Sequence, residues 1–164
     1  MTMFKAIVNK VCPVALALLA GAASAQTVIP TYNAIGVDEL TRVIASQAQA
    51  QITPDLLDPA NPVLKVQLSS GINYSVFMDD CDGGQPNLCK SLEFRTQLPP
   101  GAMNFYQING FNETLRYATA YLTDKGVPQL RMDVSVRGGI TADSVAYSVR
   151  IFMKVAASFV QQAK

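Results

Sequence analysis

The chain has 164 residues, 49% hydrophobic and 15% charged, which suits one domain with a sizeable core rather than a disordered segment. Thirteen basic against twelve acidic residues give a net charge of +1, without the basic excess of general nucleic-acid binders. There is no histidine, which excludes a Ser-His-Asp triad, the usual zinc nitrogen ligand and the usual pH switch.

The N-terminus reads as an address. "MTMFKAIVNK" carries Lys5 and Lys10 without an acid, "VCPVALALLAGAASA" is a short apolar run, and Ala23-Ser24-Ala25 ends it with small residues. This is the pattern of a secretory signal peptide cleaved between Ala25 and Gln26. The run is interrupted by Pro13 and is short for a membrane span. Residues 1–25 are expected to be removed, leaving 26–164 as a single periplasmic or secreted domain with no membrane contact. Loss of Lys5 and Lys10 leaves eleven basic against twelve acidic residues. Cys12 leaves as well, so the mature chain keeps Cys81 and Cys89 and no further thiol.

Residues 26–34 read as an exposed lead-in. "GVDELTRVIASQAQ" spaces Val37, Leu40, Ile44 and Ala48 along one helical face, with Asp38 and Glu39 where the helix dipole favours acids. "AQITPDLLDPANP", broken by three prolines, admits a short strand or one helical turn. "VLKVQL", "INYSVFM" and "SLEFRT" alternate apolar and polar residues and predict an antiparallel meander with one dry face.

Between the second and third runs lies "DDCDGGQPNLCK", whose Gly83, Gly84, Pro86 and Asn87 are turn formers. In an oxidising compartment Cys81 and Cys89 are expected to form a disulfide across this hairpin. The pair lacks the Cys-x-x-Cys spacing of thiol exchange, zinc lacks ligands, and Asp79, Asp80 and Asp82 lack the further oxygens of an EF-hand. No metal or cofactor is expected.

"MNFYQINGFNETLR" suggests a helical segment, and "YATAYLTD" and "PQLRMDVSV" a second hairpin across Lys125-Gly126. Thr141 reads as the N-cap of a last helix over about 142–161. There Val145, Val149, Phe152, Ala156 and Phe159 make one stripe, with Tyr147, Ile151 and Val155 beside it. This arc is broader than one sheet contact needs, so the excess covers other helices, or meets a second copy in a homodimer or a ligand.

The order of "GINYSVFMDDC", the second cysteine with "SLEFRT", "NGFN", "RYATAYL" and "LRMDVSVRGGIT" resembles the YbjN-like family of bacterial sensory transduction regulators, over roughly residues 35–160. The resemblance implies an α+β fold like that of type III secretion chaperones: an antiparallel sheet of about five strands with helices packed on one face. It places the family's asparagine-x-aromatic-asparagine motif on Asn109, Phe111 and Asn112, its arginine on Arg116, its aspartate on Asp133 and its turn on Arg137-Gly138-Gly139. Phe111 stands where tryptophan is usual, the cysteine loop is longer than in many relatives, and the linker after the first helix is proline-broken. The family implies no catalytic residues.

Glu93, Arg95, Arg116, Asp133 and Arg137 are expected on the polar side of one sheet. There they form either solvated ion pairs or a charged face that binds a peptide or an acidic ligand. Gly138-Gly139 reads as a tight turn or an anion nest, and Asn109 and Asn112 as helix-end partners or ligand contacts. A histidine-free hydrolase would draw on Asp79, Asp80 or Glu93. The resulting expectation is a non-enzymatic periplasmic module that binds an unidentified protein or peptide. The alternative is a small-molecule or signal-sensing domain.

Overall fold

In the computed structural model, which describes residues 31–84 and 87–163, the sequence alternation becomes the two faces of one sheet. The predicted signal peptide and its Ala25–Gln26 junction lie outside the described residues. The elements run β1 (Thr31–Tyr32), β2 (Ile35–Gly36), α1 (Val37–Gln47), β3 (Ala50–Asp55), β4 (Val63–Leu68), β5 (Asn73–Cys81) and β6 (Leu88–Gln97). They continue with α2 (Phe105–Glu113), β7 (Thr119–Leu122), β8 (Pro128–Ser135), β9 (Ile140–Thr141) and α3 (Ala142–Gln162).

The large sheet is antiparallel, in the order β3-β4-β5-β6-β8-β7, and β2 pairs with the start of β6. This is the expected α+β architecture, with seven strands in the sheet rather than about five. One extra strand comes from the proline-broken segment, where Ala50–Asp55 pairs along the whole of β4. Another is β2, just after the segment read as an exposed lead-in: Ile35 is buried opposite Cys89, while Thr31–Tyr32 of the lead-in pairs with β9 in a separate two-stranded sheet.

Every register in the six-strand path matches an even-numbered residue with an even-numbered one. Even positions therefore share one face, because side chains alternate along a strand. Leu64, Val66, Tyr74, Val76, Met78, Leu92, Phe94, Leu130 and Met132 are buried there. Helix α3 covers this face with Val145, Val149, Phe152, Ala156 and Phe159, all fully buried. Phe152 meets Phe94 and Tyr74 at 5.4 Å between ring centroids, and Phe159 meets Phe111 of α2 at the same distance. Helix α1 packs beside α3, burying Leu40, Val43 and Ile44. The second α3 stripe is thus partly used: Ile151 and Val155 are half-buried against the core and Tyr147 stays exposed. Thr141 caps α3 by accepting from the Ser144 N–H, and Asn104 with Gln107 forms a capping box on α2.

Tyr74 carries the one buried side-chain polar atom without a partner among the described residues. Only 4% of the residue is accessible, and burial pushes its hydroxyl pKa up. Removing an unpaired buried hydroxyl relieves a desolvation cost and breaks no bond. Tyr74→Phe is expected to hold or raise stability by about 1 kcal/mol in urea unfolding. A loss of that size would show instead that the hydroxyl is satisfied.

Candidate functional site

The odd-numbered residues form the other face, which no described element covers. The registers line them up in rows running across the strands. One row is Asp55, Val63, Phe77, Glu93 and Asp133. The next is Thr53, Lys65, Ser75, Arg95, Arg131 and Thr119. A third joins Gln51, Gln67 and Asn73 on β3, β4 and β5 with Gln97, Gln129 and Tyr121 on β6, β8 and β7, one step past the Ser75–Arg95 pair where the β5–β6 ladder begins. The second and third rows line much of a shallow trough of about 780 Å³.

The register sets like charges opposite: Glu93 faces Asp133 and Arg95 faces Arg131. Directly opposed like charges repel across a pair of strands. The conflict is resolved by pairing along and diagonally between strands. Arg95 Nε donates to Glu93 Oε1 at 2.6 Å, Arg131 Nε lies 3.1 Å from Glu93 Oε2, and Arg131 Nη2 reaches Asp133 Oδ1 at 2.9 Å. The bond to Asp133, with the Glu93 charge behind it, raises the Arg131 pKa. Glu93 is only 8% accessible although it lies on the open face. Arg95 in turn stacks on Phe77, its guanidinium carbon 4.4 Å from the ring centroid. The chain Arg95–Glu93–Arg131–Asp133 alternates in sign and sums to zero.

The structure divides the residues expected on this face. Glu93, Arg95 and Asp133 are together there. Arg116 is not: it is exposed in the connection between α2 and β7. Arg137 lies beyond the end of β8, in the turn before β9, and its guanidinium pairs with Asp80 at 2.6 Å. Arg116 comes before β7 starts at Thr119 and Arg137 after β8 stops at Ser135, so neither stands on a strand. Arg131 and Phe77 were missed as members of the cluster, although strict alternation with Asp133 and Ser75 already put them on the polar side.

Cys81 and Cys89 are register partners with Cα atoms 3.9 Å apart, and their sulfurs are joined in the structure. The Asp82 N–H bonds the Leu88 carbonyl, so the cysteines occupy the position without ladder bonds, where strands approach most closely. Two of the neighbouring acids, Asp80 and Asp82, diverge. Asp80, at φ 55°, turns to Arg137, whereas the Asp82 carboxylate accepts from the Leu88 and Gly84 N–H groups, which lowers its pKa. No group of three or more metal-ligating side chains occurs among the described residues. Nor is any described helix long and apolar enough to cross a membrane.

The family-motif residues have structural work. Gly138 and Gly139 are both left-handed, and a Cβ on Gly139 would stand 3.3 Å from Asn33 Oδ1 and Thr31 Cγ2. The pair makes the tight turn beneath the N-terminal segment. That segment is also tied by a bond from the Tyr32 hydroxyl to Glu39, which raises the Tyr32 pKa to about 12. Phe111 is core, and Asn109 is exposed in mid-helix. Asn112 accepts the Ala120 N–H at 2.8 Å and donates to the Ala120 carbonyl at 2.9 Å.

This clamp closes a sheet edge. The Thr123–Val127 bond fixes odd residues of β7 as the ones bonded to β8, so Ala120 turns its backbone outward, where an added strand would pair. Asn112 already occupies both groups. At the opposite edge the Ser69–Gln49 bond gives the same parity, and the outward positions of β3 are Ala50, Ile52 and Pro54. Pro54 has no N–H to offer, a common edge protection. Strand addition is thus obstructed at both edges.

The chain matches the model of the YbjN family, described as "Putative bacterial sensory transduction regulator", over residues 39–164. Neither the comparison with curated proteins nor that with solved structures returned a match.

Truncating the clamp leaves the part-buried Ala120 donor and acceptor without their protein partner. Asn112→Ala is expected to cost about 1–3 kcal/mol by chemical denaturation and to speed amide exchange at Ala120. Unchanged exchange there would contradict the edge-closing role.

Proposed function

Because the chain belongs to the YbjN family, we propose that it is a non-enzymatic binding module exported to the periplasm, taking a protein or peptide partner on the charged part of its open sheet face. The observation that carries this reading is the Arg95–Glu93–Arg131–Asp133 chain beside Phe77, on a face that no described element covers. Arginine and aromatic groups dominate protein-contact hot spots, and a cluster whose charges are already compensated loses little on meeting a partner. Closure of both edges directs docking to the face rather than to strand addition.

A hydrolytic role finds little support here. Of the three candidate carboxylates, Glu93 has both oxygens held by guanidinium groups and Asp80 is paired with Arg137, which leaves Asp79 without a second carboxylate to work with. Export is supported by the pattern of residues 1–25 and by the Cys81–Cys89 pair, which uses every cysteine left after cleavage.

Capture from periplasmic extract tests the proposal. The mature chain should retain a stoichiometric protein. Asp133→Arg, at an exposed position beside Arg131, should lose that protein about tenfold while melting as wild type does. Equal retention by the variant would move the contact off this face, and absence of any stoichiometric protein would overturn the reading.

A further inference from the structure

The third row of the open face differs in kind from the charged rows. It places one planar or hydroxylated polar group on each of six successive strands: Gln51, Gln67, Asn73, Gln97, Gln129 and Tyr121. At one end these groups orient each other. The Tyr121 hydroxyl bonds Gln129 Oε1 at 2.6 Å, and Gln129 Nε2 donates to Gln97 Oε1 at 3.3 Å. At the other end the exposed Gln51, Gln67 and Asn73 amides have no hydrogen-bond partner among the described residues. Half of the row is thus pre-oriented, and half has unused donors and acceptors.

The surroundings restrict what fits. The row itself is uncharged. In the neighbouring row Lys65 is held by Asp55 at 2.8 Å, and Arg95 and Arg131 are held by Glu93, so no spare cation awaits an anion. No apolar anchor pocket lies along the row, and Arg95 covers the Phe77 ring. A peptide docked here would lack the buried anchors that supply most protein-contact energy. Its same-side residues would recur every 6.6–6.8 Å or so, out of step with amides spaced about 4.8 Å apart. A chain of sugar rings repeats at close to the strand spacing. Its adjacent hydroxyls both donate and accept, as an amide side chain does. Six strands give a row about 24 Å long, room for roughly five rings.

We propose that this amide row is a binding site for an uncharged linear glycan lying across the strands. It shares no residue with the charged protein-contact cluster, so the two readings stand or fall separately.

The test is an NMR titration of the mature chain with neutral hexasaccharides: β-1,4-linked glucose, β-1,4-linked N-acetylglucosamine and α-1,4-linked glucose. A neutral glycine–serine hexapeptide serves as the competing ligand. At least one hexasaccharide should saturate and shift the side-chain amide signals of Gln51, Gln67 and Asn73. The Gln67→Ala/Asn73→Ala variant should weaken that binding about tenfold, with melting unchanged. An Asn109→Ala control on α2 should bind as wild type does. The double variant should still capture any protein partner held through Asp133. The proposal is overturned if no hexasaccharide saturates at millimolar concentration, if binding survives the double variant, or if the peptide binds there instead.

Discussion

The antiparallel register of β5, β6 and β8 is the constraint on which the rest depends. It puts Tyr74, Val76, Leu92, Phe94, Leu130 and Met132 under α3 and, by the same step, sends Phe77, Glu93, Arg95, Arg131 and Asp133 to the open side. A slip of one residue would exchange the two sets, burying a four-charge chain and exposing the aromatic contacts around Phe152. Hydrophobic burial under α3 therefore fixes the open face as well as the core.

The same register creates a local problem and a use for it. Glu93 opposite Asp133 and Arg95 opposite Arg131 are poor cross-strand pairs. The diagonal bonds that rescue them draw all four groups into one neutral network. A network of this kind adds little net stability, but it holds its side chains in fixed positions, which lowers the ordering cost of a contact surface. The closed edges complement it. With Asn112 on β7 and Pro54 on β3, the sheet is guarded against pairing with another strand while its face stays open.

Much of this was legible in the sequence where the signal is local. Thr141 as a cap, the stripe from Val145 to Phe159 and the alternation around Phe94 needed only neighbouring residues. The cysteine pairing followed from arithmetic once residues 1–25 were read as a leader. The features that escaped depend on partners distant in the chain. The segment around Pro54 becomes a strand because β4 offers it a complete ladder, and Ile35 because Cys89 lies opposite. The row from Gln51 to Tyr121 is invisible until five registers are known, since its members are unremarkable polar residues one at a time. Arg116 and Arg137 failed as sheet residues because alternation does not say where a strand starts or stops.

The central claim is that recognition uses the open face and not the helical side. Site-specific photo-crosslinking in the producing cell tests it most directly, with a benzophenone side chain placed at Ser75 on the open face or at exposed Tyr147 on α3. The account predicts a discrete crosslinked product from position 75 and none from position 147. A product from 147 alone would contradict it.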